Sequence, residues 1–132
     1  MLKRKLHLTR LELEIMKVLW ENGPSTVQKV QQLLSRDRPL AYTTVQTMLN
    51  LLHQKGKVER VLEERAYVYS PSVTRREEAS RTLGDLIDRL FGGSAETLVL
   101  SLVDSRHLTP DGLRRVSRKL EEASRPKSRR RE

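Results

Sequence analysis

AYTTVQTMLNLLHQKG, Ala41 to Gly56, reads as a short helix with two unlike faces. At about 100° per residue, Val45, Met48, Leu49 and Leu52 fall on one apolar stripe. Thr43, Thr47, Asn50 and Gln54 point the opposite way, with Thr44 and Gln46 on the flanks. An ordinary solvated face is rich in Glu, Lys and Arg, whereas Thr and Asn lower helix propensity, so this polar face wants a reason. Asn and Gln can bond bidentately to adenine N6 and N7, and Thr brings a hydroxyl plus a methyl that can meet the thymine methyl. Such a face suits a DNA major groove. A merely polar surface helix is the alternative, because periodicity of this kind occurs in most globular proteins.

Working outward, Thr9 with Glu12 forms a capping-box pattern, after which Leu11, Ile15, Val18 and Leu19 repeat helically up to Trp20. Glu21 to Pro24 end that helix. Ser25 with Gln28 repeats the capping signature, and Val27, Val30, Leu33 and Leu34 make a second, shorter helix that stops before Ser35 to Pro39. The third helix is the opening stretch. Its start is open between Ala41, a poor cap, and Thr43, which with Gln46 offers a capping box two residues later. Gly56 supplies its stop. The period then changes: Val58 to Leu62 and Ala66 to Tyr69 are β-branched and aromatic runs separated by Glu63, Glu64 and Arg65, which suits a hairpin. Three helices and a hairpin make a winged helix-turn-helix, in which the third helix enters the major groove, the second crosses the backbone and the hairpin lies along the adjacent phosphates or minor groove. The long connection between helices two and three favours this winged variety.

Charge follows the same division. The 132 residues carry a formal net charge of +9, a balance that points to a polyanionic partner, nucleic acid first and anionic membrane second. Residues 1–70 hold 12 basic against 7 acidic side chains, residues 71–124 hold 9 against 9, and residues 125–132 hold 5 against 1. The first part therefore looks made to meet phosphate and the neutral middle to pack against protein.

The order of residues also resembles a known family. LTRLELEIMKVLWENGPSTVQKVQQLL from Leu8, YTTVQTMLNLLHQKGKVER from Tyr42 and RAYVYSP from Arg65 resemble the penicillinase repressors of bacteria, the BlaI/MecI type, over about Leu8 to Leu120. The most specific pieces are the run from Glu12 to Trp20, the block from Thr44 to Leu49, Lys55 with Gly56, and Tyr67 with Tyr69. The resemblance implies a homodimeric winged-helix repressor that binds an inverted-repeat operator and dimerises through a C-terminal helical segment. It puts Thr43, Thr44, Gln46 and Thr47 at the base-reading and phosphate-positioning end of the recognition helix, in agreement with the face derived above. Asn50, one turn further, is a candidate for a base or a phosphate, or is a solvated amide. Lys55, Lys57 and Arg65 are candidates for phosphate contacts from the helix end and wing, set against the alternative of solvated charge. Leu51 departs from the family, which often places a basic residue there. Repression would follow from occupancy of an operator overlapping a promoter.

The second half offers a way to hold two reading heads together. Leu83, Leu86, Ile87, Leu90 and Phe91 repeat helically up to Gly92 and Gly93. Ser94 can cap a helix bearing Leu98, Val99, Leu102 and Val103, and Thr109 with Pro110 starts a last helix with Leu113, Val116 and Leu120, Leu108 being placed to staple onto Leu113. A segment of ~50 residues has little core of its own, so burial against a symmetry mate is favoured over a small intramolecular bundle. The expected organisation is mainly α with a small β-hairpin: a winged-helix DNA-binding domain at 1–71, a helical dimerisation segment at 72–124, and a basic, disordered tail at 125–132 adding nonspecific electrostatic affinity.

Other classes find less support. The chain has no cysteine, which excludes disulfides and thiolate metal sites; the resemblance then disfavours copper sensing, since the copper-responsive branch of the family carries cysteines near its C-terminus. His7, His53 and His107 lie far apart without a ligand pattern, so neither metal nor cofactor is expected. No nucleophile, base or metal constellation stands out, which argues against an enzyme. Single-stranded RNA binding would call for exposed stacking aromatics, and only five aromatic residues exist, Trp20 and Phe91 within apolar patterns. An architectural, non-sequence-specific DNA-binding protein is the alternative function, and a structural scaffold a more distant one. The basic N-terminus leads into no signal-peptide run, and no segment approaches the ~18 apolar residues of a membrane span, so a soluble, cytoplasmic protein is expected. Penicillinase repressors are inactivated by cleavage at an Asn-Phe bond; Ser101 and Leu102 stand at that place here, so the inactivating protease, if there is one, is not implied.

Overall fold

The computed structural model describes residues 7–34 and 39–125. The basic start of the chain, most of the loop expected over Ser35 to Pro39, and the tail after Arg125 lie outside the described residues.

Helix α1, Arg10–Asn22, opens on the capping box read from the sequence. The Thr9 side chain accepts from the Glu12 N–H at 3.2 Å, and Glu12 Oε1 accepts from the Thr9 N–H at 2.9 Å. Gly23, at φ 79°, ends the helix in a conformation glycine tolerates, with its N–H bonded to the Leu19 carbonyl. A two-residue strand follows, β1, Ser25–Thr26, which the sequence reading did not contain. It moves the second cap: Thr26, not Ser25, accepts from the Lys29 N–H at 3.1 Å and starts α2, Val27–Leu33. Ser25 is buried in the strand, and its Oγ donates to the Gly23 carbonyl at 2.9 Å. Leu34 turns into the core from the C-cap while Leu33 stays exposed, because the helix stops one residue before the stripe does.

Helix α3, Tyr42–Gln54, starts at the poorer of its two expected caps. Ala41 has no side-chain hydrogen bond to offer, and its carbonyl takes the N–H groups of Thr44 and Val45, so the box at Thr43 does not form. The far end is better closed: Gly56 at φ 77° lets its own N–H reach the His53 carbonyl and the Lys57 N–H reach the Leu52 carbonyl, a Schellman ending. The chain then forms the hairpin of β2, Val58–Glu63, and β3, Ala66–Pro71, with Glu63 opposite Ala66 across a two-residue turn. Strand β3 is central, flanked by β2 and by β1, where Ser25 pairs with Tyr69. The core forms where the three helices meet the root of this sheet, from Ile15, Met16, Val18 and Leu19 of α1, Val27, Val30 and Leu34, Val45, Leu49 and Leu52 of α3, and Val58 with Tyr69. Each such aliphatic side chain contributes roughly 1.5–3 kcal/mol on burial, so the stripe of α3 holds its polar face outward. Met48, expected on that stripe, packs at the core's margin. Trp20 closes one side, its indole N–H donating to the Val73 carbonyl at 2.9 Å.

The chain divides into two compact units between Leu83 and Gly84, within helix α4, Arg75–Leu90. Thr74 and Glu77 form a further capping box at its start, with backbone-to-side-chain bonds of 2.9 and 3.0 Å. The second unit continues through α5, Ala95–Asp104, capped by Ser94, and α6, Pro110–Ala123, capped by Thr109 with Pro110 in the first turn. Both caps are the expected residues. No side chain of α5 or α6 is buried. Among the described residues no helix is long and apolar enough to cross a membrane.

Candidate nucleic-acid interface

Thr43, Gln46 and Thr47 are exposed on the first two turns of α3, with Thr44 half-buried beside them. Their exposure follows from the stripe opposite, since Val45, Leu49 and Leu52 are fully buried and fix the rotation of the helix. A groove of about 220 Å³ runs between this end of α3, the start of α2 and the hairpin. Gln46 and Tyr42 line it from α3, Thr26 and Gln28 from α2, and Arg65 with Tyr67 from the hairpin. The fold thus brings Gln46 and Arg65, 19 positions apart in sequence, to one concave surface with amide, hydroxyl and guanidinium donors. Tyr42, Thr26 and Gln28 were not among the contacts expected from the sequence. Thr26 and Gln28 join the surface because β1 draws the start of α2 up to the hairpin, and a two-residue strand leaves no periodicity to read.

The other predicted contacts are placed differently. Asn50 is half-buried, and its Oδ1 accepts from Arg60 Nη1 at 3.0 Å and from the Tyr69 hydroxyl at 3.1 Å. Lys55 Nζ donates to the His7 carbonyl at 2.8 Å and to Glu12 Oε1 at 2.6 Å. Glu12, 1% exposed, therefore serves the cap of α1 and neutralises the end of α3 at once. Lys57 is taken out of the phosphate-facing set altogether. It is 1% exposed, and its ammonium lies 2.9 Å from Oε1 of Glu78, a residue itself only 7% exposed. A buried ammonium needs a paired and hydrogen-bonded carboxylate, and Glu78 of α4 supplies it. Arg65 is exposed at the hairpin turn, as a phosphate contact requires. Leu51 is exposed on α3, one residue beyond Asn50.

Arg60 is the basic residue that the sequence reading missed. Its guanidinium lies 4.4 Å from the centroid of the Tyr67 ring while it donates to Asn50. A signal existed: period-2 alternation puts Tyr67 and Tyr69 on one face of β3, and the two-residue turn sets Arg60 opposite Tyr69 on that face.

Comparison with known proteins adds the family context. The profile of the family described as Penicillinase repressor matches residues 8–122. The chain is 28% identical over 111 residues to the penicillinase repressor of Bacillus licheniformis, spanning 84% of this chain and 87% of that protein. It is 35% identical over 114 residues to the transcriptional regulator BlaI of Mycobacterium tuberculosis, spanning 84% and 83%. A solution structure of the DNA binding domain of the repressor BlaI is 32% identical, with a TM-score of 0.49, covering 54% of this chain and 87% of that domain.

Proposed function

Since this chain belongs to the penicillinase repressor family, we propose that it is a transcriptional repressor that binds an inverted-repeat DNA operator as a homodimer and blocks transcription. The observation that carries the reading is the exposed, uncharged end of α3. Thr43 and Thr47 are exposed and Thr44 half-buried on the same end of the helix as Gln46, which lines a groove with Arg65, so a hydrogen-bonding side chain for base edges lies beside a cation for the backbone. Related proteins carry the names penicillinase repressor and transcriptional regulator.

The dimer is supported by what the second unit leaves uncovered. Leu90 is 71% exposed and Leu120 66%, and Val99, Val103, Leu113 and Val116 are exposed as well, as is Leu83 at the end of the first unit. Leu86, Ile87, Phe91, Leu98 and Leu102 are half-buried. Soluble monomers rarely leave so many large apolar side chains in water, and a segment without a buried core of its own gains one from a second copy. Residues 72–124 would thereby join two reading heads, and a two-fold pair of recognition helices asks for a palindromic site.

Selection of bound fragments from random and genomic duplex DNA, followed by a salt titration on the enriched site, tests this. The expected outcome is an inverted repeat bound far more tightly than random sequence at the same salt. Equal and steeply salt-dependent binding to every duplex, with no enriched repeat, would replace the repressor by an architectural DNA-coating protein, which the net charge of +9 would also suit.

A further inference from the structure

We infer that Asn50 is a positioning residue that latches the hairpin onto the recognition helix, rather than a reader of bases; this rests on the reading of α3 and the hairpin as the DNA-binding surface. The Asn50 carbonyl oxygen accepts from Arg60 at 3.0 Å and from the Tyr69 hydroxyl at 3.1 Å. An arginine can only donate, so chemistry fixes which end of the amide faces Arg60. A carbonyl oxygen has two lone pairs, and both are engaged. Reading adenine bidentately needs that same oxygen to accept from N6 while the amide NH₂ donates to N7. With its acceptor committed, Asn50 cannot make the paired contact.

The latch adds a polar tie between elements that the core joins only at the root of the hairpin. Asn50 sits in the third turn of α3, Arg60 in β2 and Tyr69 in β3, so one side chain ties the helix to both strands of the hairpin. Tyr69 is 2% exposed and anchored in the core, which makes it the fixed point. Arg60 is held on its other side by the Tyr67 ring at 4.4 Å. The outer hairpin has little else to hold it, since Val61, Leu62 and Tyr67 are all exposed. Holding helix and hairpin in one geometry before binding lowers the ordering cost on the duplex, whatever its sequence.

The test uses the full chain and the variants Asn50→Ala, Asn50→Asp and Tyr69→Phe, together with the Asn50→Ala/Tyr69→Phe double variant. Amide hydrogen exchange of residues 60–67 is measured without DNA, and affinity is measured on the enriched site with each base pair substituted in turn. Asn50→Ala and Tyr69→Phe should each speed exchange in the hairpin and weaken binding roughly two- to tenfold on every duplex, with the ranking of base preferences intact. The double variant should be little worse than either single one, because both remove the same latch. Asn50→Asp keeps the acceptor and should keep hairpin protection and the base ranking. Loss of preference at one base pair in Asn50→Ala, with hairpin exchange unchanged, would overturn the latch. The exchange measurement needs no DNA, so a chain that bound no preferred duplex would refute the repressor and leave the latch decided by its own result.

Discussion

Lys57 and Glu78 bring opposite charges to a place where neither meets solvent, and that placement sets what their removal does. Glu78→Ala leaves a buried ammonium without its carboxylate and should lower stability by about 3–5 kcal/mol. Lys57→Met combined with Glu78→Leu removes both charges at similar volume and should recover most of that loss. Denaturant unfolding measures both, and a change within about 0.5 kcal/mol for Glu78→Ala would contradict the pairing. Gln46 is the opposite case, a residue whose worth lies outside the fold. Gln46→Ala should leave unfolding unchanged and cost ~1–3 kcal/mol on the preferred site, with little effect on random DNA. An equal loss on both would make Gln46 a backbone contact. Sequence reasoning treated Lys55, Lys57 and Arg65 alike as basic residues near the third helix. Only Arg65 is exposed, because a local pattern cannot say that Glu12 lies 43 positions away from Lys55, and Glu78 21 from Lys57, as partners in space.

Among the elements, the hairpin has a turn that holds a non-glycine residue in a strained conformation. Glu64 holds φ 57°, a left-handed conformation that favours glycine, at the first position of the two-residue turn. A non-glycine residue costs ~1–2 kcal/mol there, offset in part by glycine's greater freedom when unfolded. Glu64→Gly should therefore stabilise the free protein by a few tenths to about 1 kcal/mol, read as a raised melting temperature, and a lowered one would mean the turn is not strained. The helices were the most legible elements. Thr9 with Glu12, Ser94, and Thr109 with Pro110 announce their starts by local chemistry, and the structure uses all of them. Ser25 misled because its place is decided by Tyr69, a strand partner 44 positions on.

For the whole molecule, the uncovered apolar faces of the second unit make oligomeric state and DNA affinity one question. Leu90→Glu places a charge on a side chain already 71% exposed in one copy, so the single chain should keep its helicity. If two copies bury Leu90, the variant should sediment as a monomer and lose about 10²–10⁴-fold in affinity for an inverted repeat, while binding a half-site nearly as before. Unchanged sedimentation with unchanged operator affinity would remove Leu90 from any interface. A dimer formed in this way would couple operator occupancy to protomer concentration.

Much of this protein was settled by local sequence alone. The amphipathic period of α3, the caps at Thr9, Ser94 and Thr109, the glycine stop at Gly56 and the strand-forming runs after it act within a few residues of one another, so these elements could be read locally. The family, too, is written in the order and spacing of those pieces. Tertiary structure alone decided which charges face outward. Burial assigned Lys57 to Glu78, and capping geometry joined Lys55 to Glu12. The pairing of β3 with both β1 and β2 put Tyr69 against Asn50 and opened the groove shared by Gln46 and Arg65. The reason is physical: solvation and pairing of a charge depend on what lies beside it in space, and in a fold that neighbour comes from far along the chain.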